Sequence, residues 1–486
     1  IENPSFVLVS SLLQFVRTMS LTVHLAAATL VVTMGGLLFG YTIGITSNVV
    51  SPGQLRCESG HGGTWTTVEY GQCYELSWRE IWLTYIIGIA IASALCAAMS
   101  DAIGRRKEMQ ISAALYCIGA LTTAFAPVLW GMFLGFGIYG AGMGFAMHAA
   151  PMYIVEISPA EVRCCMVALI EAVIVVGAML GYSVGSLCVA IPNDGWRIMC
   201  ALSGVLALVM GVGTCFVPRS PRWLLLRAAG DITYASEAEE ALKFLRRGDV
   251  GDELMEIYYD MNAASGGNES VWGHKKALMI SCITLGFRLI LAQPLWFAVP
   301  LFRIAGFGRQ SESLSYIGVG CVQLVSTLLA LWLASVQGCR ASMKVGILML
   351  VVAHVVMAVA LLSSPCVLLE GSCSARQVAV AIFAFIFSTA GYQIGLGSFS
   401  WLLVSEVFPT KVRGSGVSTV LLCFASSSFV VVFFEWSRPW DVLVFVAFAA
   451  ALLFVHVVVP ETRGMTLEEI GADLLRPPRE KAAKEA

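Results

Sequence analysis

Runs of about 20 apolar residues, the length a helix needs to cross a hydrocarbon core roughly 30 Å thick, recur along nearly the whole of this chain. Twelve fit, near residues 22–45, 80–99, 109–128, 131–153, 166–190, 197–217, 276–302, 314–335, 344–363, 377–404, 416–435 and 441–460. Each run is long and continuous, whereas the strands of a membrane barrel alternate over about 10 residues, so the spacing predicts helices. Only 13% of the 486 residues are charged, about half the share of a soluble domain. The expected fold is therefore all-α and integral to a lipid bilayer, with twelve transmembrane helices.

One sizeable hydrophilic stretch interrupts the runs and divides them six and six. The predicted organisation is a cytoplasmic segment at 1–21, a six-helix bundle at 22–217, an intracellular helical linker at 218–275, a second six-helix bundle at 276–460 and a cytoplasmic tail at 461–486. Within the linker, residues 235–247 place acids early and bases late, as a helix dipole favours. They predict an amphipathic helix lying on the membrane surface. Basic residues flank the even-numbered exits, among them Arg105, Arg106, Lys107, Arg340, Lys344, Lys411 and Arg413. By the positive-inside rule that face and both termini are cytoplasmic. The chain starts at Ile1 rather than a methionine, which admits an upstream segment.

A net charge of −2 without a basic cluster excludes a nucleic-acid partner. Most of the fifteen cysteines fall in apolar runs and read as small buried hydrophobes. Cys57, Cys73, Cys366 and Cys373 fall in outer loops, where one or two disulfides are expected and three pairings are open. The six histidines are scattered and no CxxC zinc pattern occurs, so no metal site and no cofactor are predicted. His148 reads as a packing or hydrogen-bonding residue.

Short motifs stand at the inner ends of the runs: DAIGRR from Asp101 to Arg106, PMYIVEISPAEVR from Pro151 to Arg163, PRSPRWLL from Pro218 to Leu225, EVFPTKVRG from Glu406 to Gly414 and PETRGMTLEEI from Pro460 to Ile470. Guanidinium groups at a helix entrance can grip carboxylates bidentately. A closed inner gate is expected in which Arg105 or Arg106 pairs with Glu156 and Glu406 while Asp101 stabilises a nearby helix N-terminus. Such pairs, weak when exposed, suit a latch that must alternate. Arg163, Arg222, Arg340, Arg413 and Glu461 complete the predicted gate.

In this order and placement the motifs closely resemble the sugar porter family of the major facilitator superfamily, over roughly residues 30–470. The stretch FAMHAAPMY at 145–153 is most similar to plant plastidic and vacuolar glucose transporters. The resemblance implies two rocking bundles, a sugar as substrate and a cavity near the bilayer midplane. It implies the plasma membrane first as location, with the plastid envelope or vacuolar membrane as alternatives. Trp401 matches the family's cavity tryptophan, and Tyr392 and Gln393 match positions beside the site.

Departures from the family are equally informative. Glu171 stands where relatives carry a sugar-gripping glutamine, the double glutamine of span seven is reduced to Gln293, and Cys423 and Ser427 replace the asparagines of span eleven. The second copy of the first motif has decayed to Ser335, Gly338, Cys339 and Arg340, which predicts a weaker latch there. Arg219 replaces an acid, placing one cytosolic pairing in doubt.

Glu171 and Arg288 lie deep in apolar runs, where isolated charge is costly and function is the default reading. They are expected to contact each other or the substrate. Proton-coupled relatives carry an acid in span one and an arginine in span four, where this chain has Thr42 and Phe136. That predicts facilitated diffusion of a hexose or related polyol, with Glu171 as an alternative proton carrier. A carrier of another small solute, with anions among the candidates, and a sugar sensor that does not transport are the competing readings. An enzyme is not expected, since no nucleophile, base or HExxH set gathers at one depth.

Overall fold

The computed structural model describes residues 23–49, 78–191, 194–228, 231–246, 249–263, 270–292, 309–362, 374–434, 439–462 and 464–475. The first half comprises α1 (Val23–Val49), α2 (Trp78–Ile103), α3 (Arg105–Ala124), α4 (Leu129–Ile157), α5 (Arg163–Cys188) and α6 (Gly195–Phe216). Three helices follow in the linker, α7 (Pro221–Ala228), α8 (Thr233–Arg246) and α9 (Gly251–Ala263). The second half comprises α10 (Lys275–Leu291), α11 (Arg309–Gln337), α12 (Cys339–Leu362), α13 (Ala375–Tyr392) continued by α14 (Ser398–Glu406), α15 (Arg413–Phe434) and α16 (Pro439–Val457), with α17 (Leu467–Leu475) behind it.

Each of the twelve predicted spans thus has its helix. Among the described residues, nine are long and apolar enough to cross a membrane. Helix α3 falls short because it opens on Arg105, Arg106, Lys107 and Glu108, α10 has 17 residues, and α16 contributes the shorter apolar stretch Val446–Val457. Phe125, Trp130, Leu187 and Phe216 stand exposed on the outside of the bundle, a surface that suits hydrocarbon rather than water.

Without a hydrophobic driving force in lipid, helices associate through close backbone approach. Helix α1 meets α5 in this way: a Cβ on Gly40 would strike the Ile174 carbonyl, and one on Gly177 the Leu37 carbonyl. Across the halves α2 packs on α15 and α5 on α11.

The linker helices pack on one another. Helix α8 is amphipathic, burying Ala238, Ala241, Leu242 and Leu245 at helical spacing, but that face packs on Trp223, Leu224 and Leu225 of α7 and on Ile257 and Met261 of α9. Its buried stripe is thus covered by protein, while Phe244 of the same helix stays exposed. Arg219, expected to lose a partner, gains one instead in Glu237 of α8 at 2.8 Å. Cys57, Cys73, Cys366, Cys373 and Gln293 lie outside the described residues.

Candidate functional site between the two halves

The inner ends of the spans carry two matching sets of charges. Glu156 ends α4 and Glu406 ends α14, while Arg163 and Arg413 open the next helices, α5 and α15. The pairing crosses over. Arg413 Nη1 of the second half lies 3.5 Å from Glu156 of the first, and Arg163 Nη1 of the first lies 3.7 Å from Glu406 of the second. Arg163 also donates to the Met465 carbonyl at 3.2 Å. Arg413 donates to Phe408 O at 3.2 Å and Thr410 Oγ1 at 3.3 Å.

Around Glu156 the network is dense. Arg105 Nε donates to it at 3.3 Å, with both side chains fully buried, and Ser220 Oγ donates at 2.5 Å. Arg105 also reaches Asp101 at 3.1 Å. The Asp101 carboxylate lies against Gly414 in the first turn of α15, where the positive end of the helix dipole favours it. Among the described residues Arg106 pairs with no acid; it donates to Thr214 O at 3.1 Å and Cys215 O at 2.7 Å, closing the end of α6. Arg222 pairs with Glu468 of α17, and Glu468 also accepts from Thr410 at 3.2 Å.

Around Glu406 the network is thin. Thr462 bonds it, but Oε2 has no hydrogen-bond partner. Arg340 repeats the role of Arg106, donating to Val455 O at 3.3 Å and to His456 O at the end of α16. Glu461 lies against Gly338. Gly104 and Gly338 both take positive φ, 80° and 89°, which an L side chain resists. The backbone of the motif is therefore repeated in both halves; the side chain after the glycine is Arg105 in one and Cys339 in the other.

Several members of this layer are not apparent from sequence. His148 Nδ1 lies 2.8 Å from Glu108, and Nε2 lies 2.9 Å from both Gly414 O and Ser418 Oγ of α15, so the histidine joins the halves. Cys96, Glu108 and His148 bring their ligating atoms within 4.8 Å of one another, a grouping the scattered histidines gave no hint of. Both ring nitrogens have hydrogen-bond partners. Cys164 of α5 is joined to Cys339 of α12 by a disulfide.

The second layer lies deeper. Arg288 of α10 donates to Glu171 of α5 at 2.8 Å, both side chains being at most 10% exposed. The guanidinium also donates to the carbonyls of Leu396, at 3.3 Å, and Gly397. Those carbonyls belong to a single π-helical turn into which span ten widens over Gln393–Gly397, with Gly395 at a non-helical ψ of −105°; Leu396 O also accepts from Ser400 Oγ, and such turns often mark functional sites. The Tyr392 and Trp401 rings flank the guanidinium at 5.9 and 5.4 Å. Trp401 Nε1 and Gln393 Oε1 are buried without a hydrogen-bond partner, a donor and an acceptor that a polyhydroxylated ligand could engage. Thr42 donates to Leu38 O of its own helix, and Phe136 packs on Tyr85. Gly181–Gly185 reads GYSVG, the spacing of a nucleophile elbow. Ser183, however, sits inside α5 and donates to Met179 O at 2.8 Å, which is not the strand-to-helix turn that elbow needs.

The family model for "Sugar (and other) transporter" matches residues 28–474. The chain belongs to that family. The porter is 35% identical over 471 residues to an Arabidopsis thaliana protein named D-xylose-proton symporter-like 2, covering 91% of this chain and 89% of that one. It is also 35% identical to D-xylose-proton symporter-like 3, chloroplastic, from the same plant, with coverage of 91% and 81%. A Levilactobacillus brevis D-xylose transporter is 26% identical, with coverage of 93% and 96%. Among solved structures, a major facilitator proton:xylose symporter bound to 6-bromo-6-deoxy-D-glucose superposes with a TM-score of 0.79 at 24% identity, covering 93% of the porter and 99% of that chain. The inward-open xylose transporter from E. coli superposes less closely, at 0.62. The porter is thus a multi-pass membrane protein with the twelve-helix fold of the major facilitator superfamily.

Proposed function

We propose that the porter moves a pentose, hexose or related polyol across the membrane by alternating access, without enzymatic conversion. The observation that carries this reading is the pair of unpartnered buried groups, Trp401 Nε1 and Gln393 Oε1, beside an arginine held between two aromatic rings. Sugars need such donors and acceptors next to an apolar face, and burying them unpaired costs about 1–3 kcal/mol each unless a ligand completes them. The relatives' printed names support the same substrate class. An anionic solute is disfavoured because the Arg288 charge is already engaged by Glu171 and two carbonyls.

Facilitated diffusion is the coupling supported by Thr42 and Phe136, neither of which can carry a proton. Proton symport is the second reading, favoured by the names of the plant relatives and by Glu171, a carboxylate buried between the halves and paired with Arg288. Uptake of radiolabelled D-xylose, D-glucose and a polyol panel into proteoliposomes at pH 5.5 and 7.5 tests both. Saturable sugar uptake that ignores pH supports the uniporter. Uptake that accumulates sugar against its gradient at low pH, and loses this in Glu171→Gln, establishes the symporter. No uptake with correctly folded protein would sink the transport reading.

A further inference from the structure

We propose that Cys164 and Cys339 form a reversible oxidation site that locks the cytosolic gate shut. Cys164 opens α5 in the first half and Cys339 opens α12 in the second. They are 175 residues apart in sequence, with Cα atoms 6.9 Å apart and a disulfide between them. The bond therefore ties the two bundles together at their inner ends, one residue from Arg163, which pairs across the halves with Glu406.

The place of Cys339 gives the bond its meaning. The motif repeats down to the positive φ of Gly104 and Gly338 and the helix-end carbonyls held by Arg106 and Arg340. Where the first half then has Arg105 on Glu156, the second has a thiol, and Glu406 is left with one oxygen unpartnered. A covalent tie stands where the ionic one is missing. Alternating access in this superfamily rocks one bundle against the other, and a bond joining their inner ends opposes that motion until it is reduced.

On the cytosolic face thiols are held reduced by the glutathione pool, so the bond is a switch rather than a permanent staple. Cys164 is the more exposed of the two and Cys339 is buried, which sets the order of exchange. The Cys164 thiolate attacks glutathione disulfide and releases one glutathione; the Cys339 thiolate then attacks the mixed disulfide and releases the second. Two protein thiols give up two electrons and two protons, and one glutathione disulfide becomes two glutathione molecules.

The lock rests on the alternating-access reading, so its test has a readout that needs no transport. The full chain and its Cys164→Ser and Cys339→Ser variants are reconstituted and equilibrated in glutathione buffers from reducing to oxidising. Peptide mapping after alkylation measures the bond, hydrogen exchange measures opening at residues 155–170 and 331–345, and labelled D-glucose measures uptake. The expected result is a Cys164–Cys339 linked peptide that rises with oxidation in the parent alone. With it should come at least tenfold slower exchange at both inner ends and at least a tenfold, thiol-reversible fall in uptake. If uptake is absent throughout while exchange still responds to oxidation, the lock stands and the sugar reading fails. Absence of the linked peptide at every poise, or a linked protein whose inner ends exchange as fast as the reduced one, overturns the proposal.

Discussion

The two halves are built on one plan, yet their inner ends are held by different chemistry. In the first, Glu156 collects Arg105, Arg413 and Ser220; in the second, Glu406 has Arg163 at 3.7 Å, Thr462 and an unpartnered oxygen. Both arrangements sit at corresponding helix ends and share the same glycine turn. The difference reduces to one side chain, Arg105 against Cys339. A repeat can therefore keep its backbone and its helix-end contacts while one copy gives up the charged clasp, leaving one inner end densely paired and the other sparsely.

The comparison is broken most severely by Arg105→Ala. It strips a fully buried Glu156 of its nearest cation, and removing one partner of a buried pair costs about 3–5 kcal/mol. Thermal unfolding in detergent should register that loss, and uptake should fall at least tenfold. Next in size is the contrast between the two acids. Glu156→Gln should cost about 2–3 kcal/mol and Glu406→Gln about 1 kcal/mol, since the second acid has fewer partners to lose. Equal losses would show that the halves are matched in energy despite their different contacts.

Cys339→Arg should sharpen the comparison by supplying the missing guanidinium. A gain of about 1–2 kcal/mol is expected if it reaches the unpartnered oxygen of Glu406, with the effect lost in a Glu406→Gln background. The smallest effect belongs to the linker. Partial burial, with Glu468 and Glu256 nearby, raises the Asp260 carboxyl above the usual range. An acid whose pKa is higher in the folded protein destabilises it as pH rises from the ordinary carboxylate range through the raised value. Asp260→Asn should remove that decline, a gain of about 0.5 kcal/mol or less, visible as a flatter pH profile of unfolding.

Much of this architecture is legible in the sequence, for reasons that also show where legibility stops. Apolar runs of bilayer length leave the chain few folds, and acids and bases at helix ends announce ion pairs there. Glu171 and Arg288 are conspicuous because charge is rare in such runs. Which arginine meets which acid is a property of the assembled halves: Glu156 and Arg413 are more than 250 residues apart, and no local spacing encodes their meeting. The apolar stripe of α8 satisfies lipid and protein equally well on paper, and its packing on Trp223 and Met261 appears only in the assembled linker. His148 falls in an apolar run and gives no sign of the carbonyl it will meet on α15.

The widened turn in span ten governs which way that span looks. Tyr392 and Trp401 are nine residues apart, so in a regular helix at about 100° per residue they would face opposite sides. Both nevertheless flank the Arg288 guanidinium, because a π turn absorbs roughly one residue of winding and brings the two rings within about 80° of each other. The turn thus works as a phase adjuster, letting one span present rings on both sides of its bend to the same guanidinium. Removing a residue from 394–396 should leave the tryptophan's aim at Arg288 intact, whereas Gly395→Leu, whose side chain would crowd Gly346 and Met343 of α12, should disturb it.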